Sequence, residues 1–224
     1  MTDILRQSPL LVDLSDDDWS ALSPRLQYVD VVKGDVVFCE DDPGDRLFVL
    51  THGKMKITRS GPDDRENLLA VLGPGDLLGE LSLFDSLPRT ATATALTATT
   101  LASLSGPDFH DFLSERPRVG VRLLKVLAGR LRDTNAAMAD LIFTDVPGRV
   151  AKAILSLAER FGAETDEGLR VTHDLTQEEL AQLVGASRET VNKALNDFAG
   201  RGWLRLDGKT VVVFDVARLT QRCR

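Results

Sequence analysis

Cysteine, histidine and long apolar runs are all scarce in this chain of 224 residues. Its two cysteines, Cys39 and Cys223, lie far apart without metal-ligand spacing. They are expected to be free thiols of a reducing compartment, with no disulfide framework and no metal site. The three histidines, His52, His110 and His173, stand singly in polar segments. A haem sensor built on them is a weak reading, because isolated histidines in such places are usually solvated. No stretch approaches the roughly 20 apolar residues of a membrane span. The acidic, proline-bearing N-terminus also lacks the charged and apolar regions of a signal peptide. The expected location is the cytoplasm, with no membrane partner.

A basic excess is missing too, since the formal net charge is −7. From Asp145 onward acidic and basic residues balance at twelve each, so the whole negative excess falls in residues 1–144. A neutral C-terminal part can still present a local basic face, and phosphate contact needs only such a face. Arg188, Lys193, Arg201, Arg205 and Lys209 are the candidates. The apolar content of 43% is ample for packed cores, and the length suits one or two domains.

The most informative stretch is LTQEELAQLVGASRETVNKAL, Leu175 to Leu195. Thr176 followed by Glu179 forms a capping box at a helix start, with Leu180, Leu183 and Val184 on the buried face. Gly185 ends that helix, and Ser187 caps a second one. Val191, Ala194, Leu195 and Phe198 recur at helical spacing and should face inward, leaving Arg188, Glu189, Asn192 and Lys193 outside. Those four side chains suit base edges in a major groove. Glu189 and Lys193 also have the i,i+4 spacing of an ordinary surface pair. Trp203 to Leu206, the Asp207-Gly208 turn, and Lys209 to Phe214 read as a hairpin, which makes a winged helix-turn-helix.

Upstream, from Val29 to about Ser105, the period is two. Turn signals recur at Lys33-Gly34, Pro43-Gly44, His52-Gly53, Gly61-Pro62-Asp63 and Gly73-Pro74-Gly75. Short antiparallel strands of a jelly roll or barrel follow, with Val36/Phe38, Leu47/Val49 and Met55/Ile57 on the inner face. Before them, Leu10 to Leu26 reads as a short helix capped by Ser15. Within the roll, Gly79-Glu80-Leu81-Ser82 and Pro88-Arg89-Thr90 suit a ribose carrying one phosphodiester. Glycine admits close approach, the Leu81 and Ser82 amides can face an anion, Arg89 neutralises it, and Glu80 is free to accept from a sugar hydroxyl. An Arg and a Glu nine residues apart can equally be a structural ion pair.

Phe109 to Leu113 makes a short helix, and Pro117 opens a long one running to about Phe143. Leu124, Leu127, Leu131, Thr134, Met138 and Leu141 alternate spacings of three and four, the seam of a two-stranded coiled coil. Packing against the chain's own roll is the other use of this face. Thr134 and Asn135 interrupt the seam and can fix its register. Asp145-Val146-Pro147-Gly148 breaks the helix into a hinge. Asp145 is placed to cap the next helix, whose buried stripe is Val150, Ile154, Leu157 and Ala158. Gly162 to Gly168 reads as an acidic loop.

DLIFTDVPGRVAKAIL from Asp140, together with the helix-turn-helix stretch, resembles the cyclic-AMP receptor protein and FNR superfamily, with most similarity to its actinobacterial Crp (GlxR-type) members. The resemblance covers nearly the whole chain. It implies that GELSLFD and PRTATA form a phosphate-binding cassette, with Arg89 on the cyclic phosphate, Glu80 on the ribose 2′-hydroxyl, and Gly79, Ser82 and Thr90 beside them. It also implies that Thr134 and Asn135 touch adenine, one from each subunit. Arg188 and Glu189 would read a TGTGA-type half-site. Asn192-Lys193 stands where the best-known enterobacterial member has Gly-Arg, and lysine does not reproduce the bidentate fork. Asp41-Asp42 replaces a common glycine, and aspartate tolerates a left-handed turn. The cysteine set of an iron-sulfur FNR sensor is absent.

The expected fold is α+β: a cyclic-nucleotide-binding β-roll over 1–116, a dimerisation helix and hinge over 117–144, and a winged helix-turn-helix domain over 145–224. The expected function is a cyclic-AMP-responsive regulator that activates or represses, with double-stranded DNA, RNA polymerase and a second copy as partners, and no cofactor beyond the effector. A second reading keeps the DNA binding but makes cyclic AMP a weak modulator or replaces it with another effector. No enzymatic activity is expected. Gly202 to Thr210 looks like a phosphate loop, yet five residues separate its glycines where four are required, and it falls on the hairpin.

Overall fold

The computed structural model describes residues 5, 6, 8, 9, 11, 12, 14–61 and 66–223. Leu10, at the start of the expected first helix, and the Pro62-Asp63 part of one turn signal lie outside these residues. Two compact units divide the chain, Met1–Arg132 and Asp133–Arg224.

In the first unit Ser15 opens α1 (Asp16–Leu22) with a reciprocal box. Its Oγ accepts from the Asp18 amide, and the Asp18 carboxylate accepts from the Ser15 amide. The strands are β1 (Gln27–Val31), β2 (Val36–Phe38), β3 (Arg46–His52), β4 (Met55–Ser60), β5 (Glu66–Leu72) and β6 (Leu77–Leu78). After the short helix α2 (Leu81–Asp85) come β7 (Thr92–Ala95) and β8 (Thr99–Ser105). They form two antiparallel sheets, β1-β8-β3-β6 and β2-β7-β4-β5. Helices α3 (Gly106–Glu115) and α4 (Pro117–Phe143) follow.

Strand β3 is buried on both faces, which is why Leu47 to Thr51 shows no alternation. Leu47 and Val49 pack with Trp19, Phe109, Phe112, Val119 and Leu123, while Phe48 and Leu50 pack with Met55, Leu78, Ala93 and Leu101. Val36, expected inside, is 51% exposed; the ladder to β7 shifts register between Val36 and Phe38, and such an irregularity breaks the period of two. Phe38 and Ile57 lie partly buried against the inter-sheet cluster.

The expected seam on α4 is divided. Leu127 packs on the roll's core, whereas Leu124, Leu131, Met138 and Leu141 are exposed, together with Val121, Ile142 and Phe143. Among the described residues, no helix is long and apolar enough to cross a membrane.

The second unit continues with α5 (Val146–Phe161), β9 (Gly162–Thr165), β10 (Gly168–Thr172), α6 (Gln177–Val184), α7 (Arg188–Gly200), β11 (Leu204–Asp207), β12 (Thr210–Val213) and α8 (Val216–Arg222). The four strands make one antiparallel sheet, β11-β12-β10-β9. The expected acidic loop is therefore a strand, a tight turn and the start of another strand. All four residues of β9 are exposed, so no apolar alternation marks it, and its pairing with β10 alone makes it a strand. Val150, Ile154, Leu157, Ala158, Val191, Ala194, Leu195 and Phe198 are buried, as their spacing predicts.

Candidate ligand cradle and DNA-recognition helix

Gly79, Glu80, Ser82 and Arg89 come together at the junction of β6, α2 and the loop before β7. Arg89 is 4% exposed. Its Nη1 donates to Gly79 O at 2.5 Å and its Nη2 to Arg46 O at 2.7 Å. Its Nε is buried with no hydrogen-bond partner among the described residues. Burial pushes the Arg89 pKa down, opposed by the charges of Asp45, Glu80 and Asp42. A cation held out of water with a donor unspent favours an anion.

Two glycines make the cradle possible. A Cβ on Gly79, whose φ is +78°, would lie 2.6 Å from Arg89 Nη1; one on Gly44 would lie 2.2 Å from Ser82 Cβ. Asp41 takes a φ of 69°, the left-handed turn that aspartate tolerates. Next to it, the Asp41 amide donates to Arg89 O and the Arg89 amide to Asp42 O, which fixes the loop that carries the arginine.

Glu80 is buried, and one of its two carboxylate oxygens is already engaged by a partner the sequence did not suggest. Its Oε1 accepts from Arg130 Nη1 at 2.7 Å, and Arg130 Nη2 donates to Leu77 O. Sequence reasoning missed Arg130; the available signal was its place four residues before Thr134, on the same side of one helix. Ser82 is buried, while Leu81 and Thr90 are exposed. Thr134 and Asn135 lie on α4 in the second unit, and both are exposed.

The helix-turn-helix is built by local rules. Thr176 Oγ1 accepts from the Glu179 amide, and Glu179 Oε2 accepts from the Thr176 amide. Gly185 has a φ of +67° and ends α6; Ser187 Oγ accepts from the Thr190 amide and starts α7. Arg188, Glu189 and Lys193 are exposed and Asn192 is half-buried, all near the start of α7. Arg149, also missed, clamps the turn: Nε donates to Val184 O at 2.9 Å, Nη2 to Gly185 O at 3.2 Å and Nη1 to Thr144 O at 2.8 Å. Of the proposed phosphate contacts, Arg201 pairs with Asp197 at 2.8 Å and Arg205 with Glu167 at 2.6 Å. Both pairs are exposed and weak enough to exchange for phosphate. His173 departs from the solvated expectation: it is buried, and its Nδ1 accepts from the Leu175 amide.

Comparison with known proteins joins the two sites. Residues 28–116 match the cyclic nucleotide-binding domain family, and residues 148–222 match the Crp-like helix-turn-helix domain family. Over 100% of both chains, the protein is 54% identical to a CRP-like cAMP-activated global transcriptional regulator of Mycobacterium tuberculosis. The chain belongs to the Crp/FNR superfamily of transcription regulators. Among solved Crp-family structures, the Thermus thermophilus catabolite activator protein is 34% identical, with 96% of this chain and 98% of that one covered and a TM-score of 0.56. The c-di-GMP responsive global regulator CLP of Xanthomonas campestris is 27% identical, covering 89% and 99%, with a TM-score of 0.77. Matching domains and relatives are transcription regulators, and none points to an enzyme.

Proposed function

We propose that this Crp-family protein is a cyclic-AMP-responsive, homodimeric regulator that binds near-palindromic TGTGA-type operators in the cytoplasm. It activates or represses according to where the operator lies relative to RNA polymerase. The observation that carries the ligand reading is the buried, incompletely paired Arg89 guanidinium beside a buried carboxylate. A cyclic nucleotide supplies one phosphodiester charge and a ribose hydroxyl, matching one cation and one acceptor. The Leu81 and Ser82 amides face the phosphate, with the Ser82 and Thr90 hydroxyls alongside. Thr134 and Asn135 meet the adenine, one from each subunit.

Leu124, Leu131, Met138 and Leu141 form the dimer seam, with Leu127 also anchored in its own roll. Ligand held against paired helices favours one arrangement of the two recognition helices, about 34 Å apart on one face of DNA. Ser187 fixes the start of each helix. Arg188, Glu189, Asn192 and Lys193 then meet the base edges.

One observation favours the second reading, in which operators are bound without ligand and cyclic AMP modulates weakly. The cradle is already braced by Gly79 O, Arg46 O and Arg130, so ligand entry reshapes it little. A ligand shifts an equilibrium only by its differential affinity.

Calorimetric titration with cyclic AMP tests the ligand assignment. The expected result is one site per protomer and at least about tenfold weaker binding in Arg89→Ala, or about 1.4 kcal/mol. Equal affinity in the two proteins would remove Arg89 from the site.

A further inference from the structure

Within that ligand reading, one aromatic side chain outside the Gly79–Thr90 segment bears directly on the arginine. Arg89 Cζ lies 4.5 Å from the centroid of the Phe38 ring. Phe38 is itself stacked on Phe48, with centroids 6.1 Å apart and an interplanar angle of 26°. Phe48 is buried in the inter-sheet core, against which Phe38 is partly buried. The guanidinium therefore rests on a ring whose own position is set by the core of the roll.

We propose that Phe38 is the positioning residue of the anion site, holding the Arg89 guanidinium by its ring face so that the unspent Nε–H donor stays available to the phosphate. Guanidinium groups stack on aromatic faces because the ring quadrupole attracts the cation and the flat surfaces match. The two carbonyls of Gly79 and Arg46 fix the Nη edge of the group. Two contacts on one edge still allow the plane to tilt about that edge, and the ring removes this freedom. It also offsets part of the cost of burying the charge before an anion arrives. An aliphatic side chain fills the volume but has no quadrupole, so packing and positioning are separable by substitution.

The test titrates cyclic AMP onto full-length wild type, Phe38→Leu, Phe38→Tyr, Arg89→Ala and the Phe38→Leu/Arg89→Ala double variant. Phe38→Leu is expected to weaken binding about tenfold, between the values for an exposed and a fully desolvated cation–π contact. Phe38→Tyr, which keeps the ring, should stay within about twofold of wild type. On the Arg89→Ala background the Phe38→Leu penalty should vanish, because the ring acts through that guanidinium. An unchanged affinity in Phe38→Leu, or the same penalty on both backgrounds, overturns the proposal and leaves the cyclic AMP site standing. Wild type without cyclic AMP binding takes both down. Should Phe38→Leu fail to fold, the Arg89 Nε–H resonance of wild type decides, assigned by its loss in Arg89→Lys. Displacement upfield by the ring supports the proposal, and an ordinary arginine shift contradicts it.

Discussion

Arg130 Nη1 donates to Glu80 Oε1 at 2.7 Å, tying the long helix α4 to the segment that opens α2 within the first unit. Glu80 is 3% exposed, so removing Arg130 leaves a buried carboxylate short of a hydrogen-bond donor. Arg130→Gln should destabilise the unit by about 1–3 kcal/mol, less than breaking a fully buried ion pair because the Arg130 side chain is itself part-exposed. Urea unfolding measures this. The Arg130→Gln/Glu80→Gln double variant should lose less than the two single losses added, and strict additivity would mean that the pair is not coupled.

Asp145 serves two partners at the start of α5. Its Oδ1 accepts from the Gly148 amide at 2.9 Å, and its Oδ2 accepts from Arg222 at 2.6 Å. The Arg222 hydrogen bond, joined by that of the Gly148 amide, holds the Asp145 carboxyl below the usual carboxylate range. A carboxyl lowered in the folded state contributes stability that is complete above its unfolded pKa, about 3.9, and is lost as pH falls through the lowered value. Arg222→Ala should therefore cost stability at neutral pH and flatten the acid limb of the second unit's melting profile. A parallel downward shift at every pH would show that the pair does not titrate with folding.

Arg149 holds three carbonyls at once, spanning the helix break at Thr144 and the turn at Gly185. Lysine keeps the charge but loses the fork. Arg149→Lys should cost about 1–3 kcal/mol of stability in the second unit, through charge-assisted hydrogen bonds. It should also weaken operator binding while cyclic AMP affinity stays at the wild-type value. Denaturation and gel-shift titration check the two halves, and unaltered DNA affinity would remove Arg149 from the positioning of the turn.

Leu131 is 63% exposed on a helix face that also carries Leu124 and Met138. A glutamate there places like charges opposite each other in a paired seam. Sedimentation equilibrium of Leu131→Glu should show dimerisation weakened at least about tenfold, roughly 1.4 kcal/mol. An identical association constant would move the dimer contact off this face.

The elements legible in the sequence are those whose signals are local. Thr176 with Glu179, Gly185, Ser187 and Asp207-Gly208 each fix a cap or turn within four residues, and the helix-turn-helix follows. Gly79, Glu80 and Arg89 were recognisable by residue type and by resemblance to a cassette. Their partners were not, because Arg130 is fifty residues from Glu80 and Arg46 forty-three from Arg89. Strand β9 is hidden because its exposed residues carry no apolar period, and the inner face of β3 is misassigned to Leu47 and Val49 because both faces are buried: Phe48 and Leu50 are the pair between the sheets. Val36 was misplaced because a register shift is a property of two strands together.

Ligand-gated operator binding is open to a single titration. Purified protein is titrated onto a labelled TGTGA-N6-TCACA duplex at fixed salt, with and without cyclic AMP, beside Arg89→Ala. Gating by cyclic AMP predicts at least about tenfold tighter binding with the ligand, about 1.4 kcal/mol of coupling, and no gain in Arg89→Ala. Equally tight binding with and without cyclic AMP would contradict the gating.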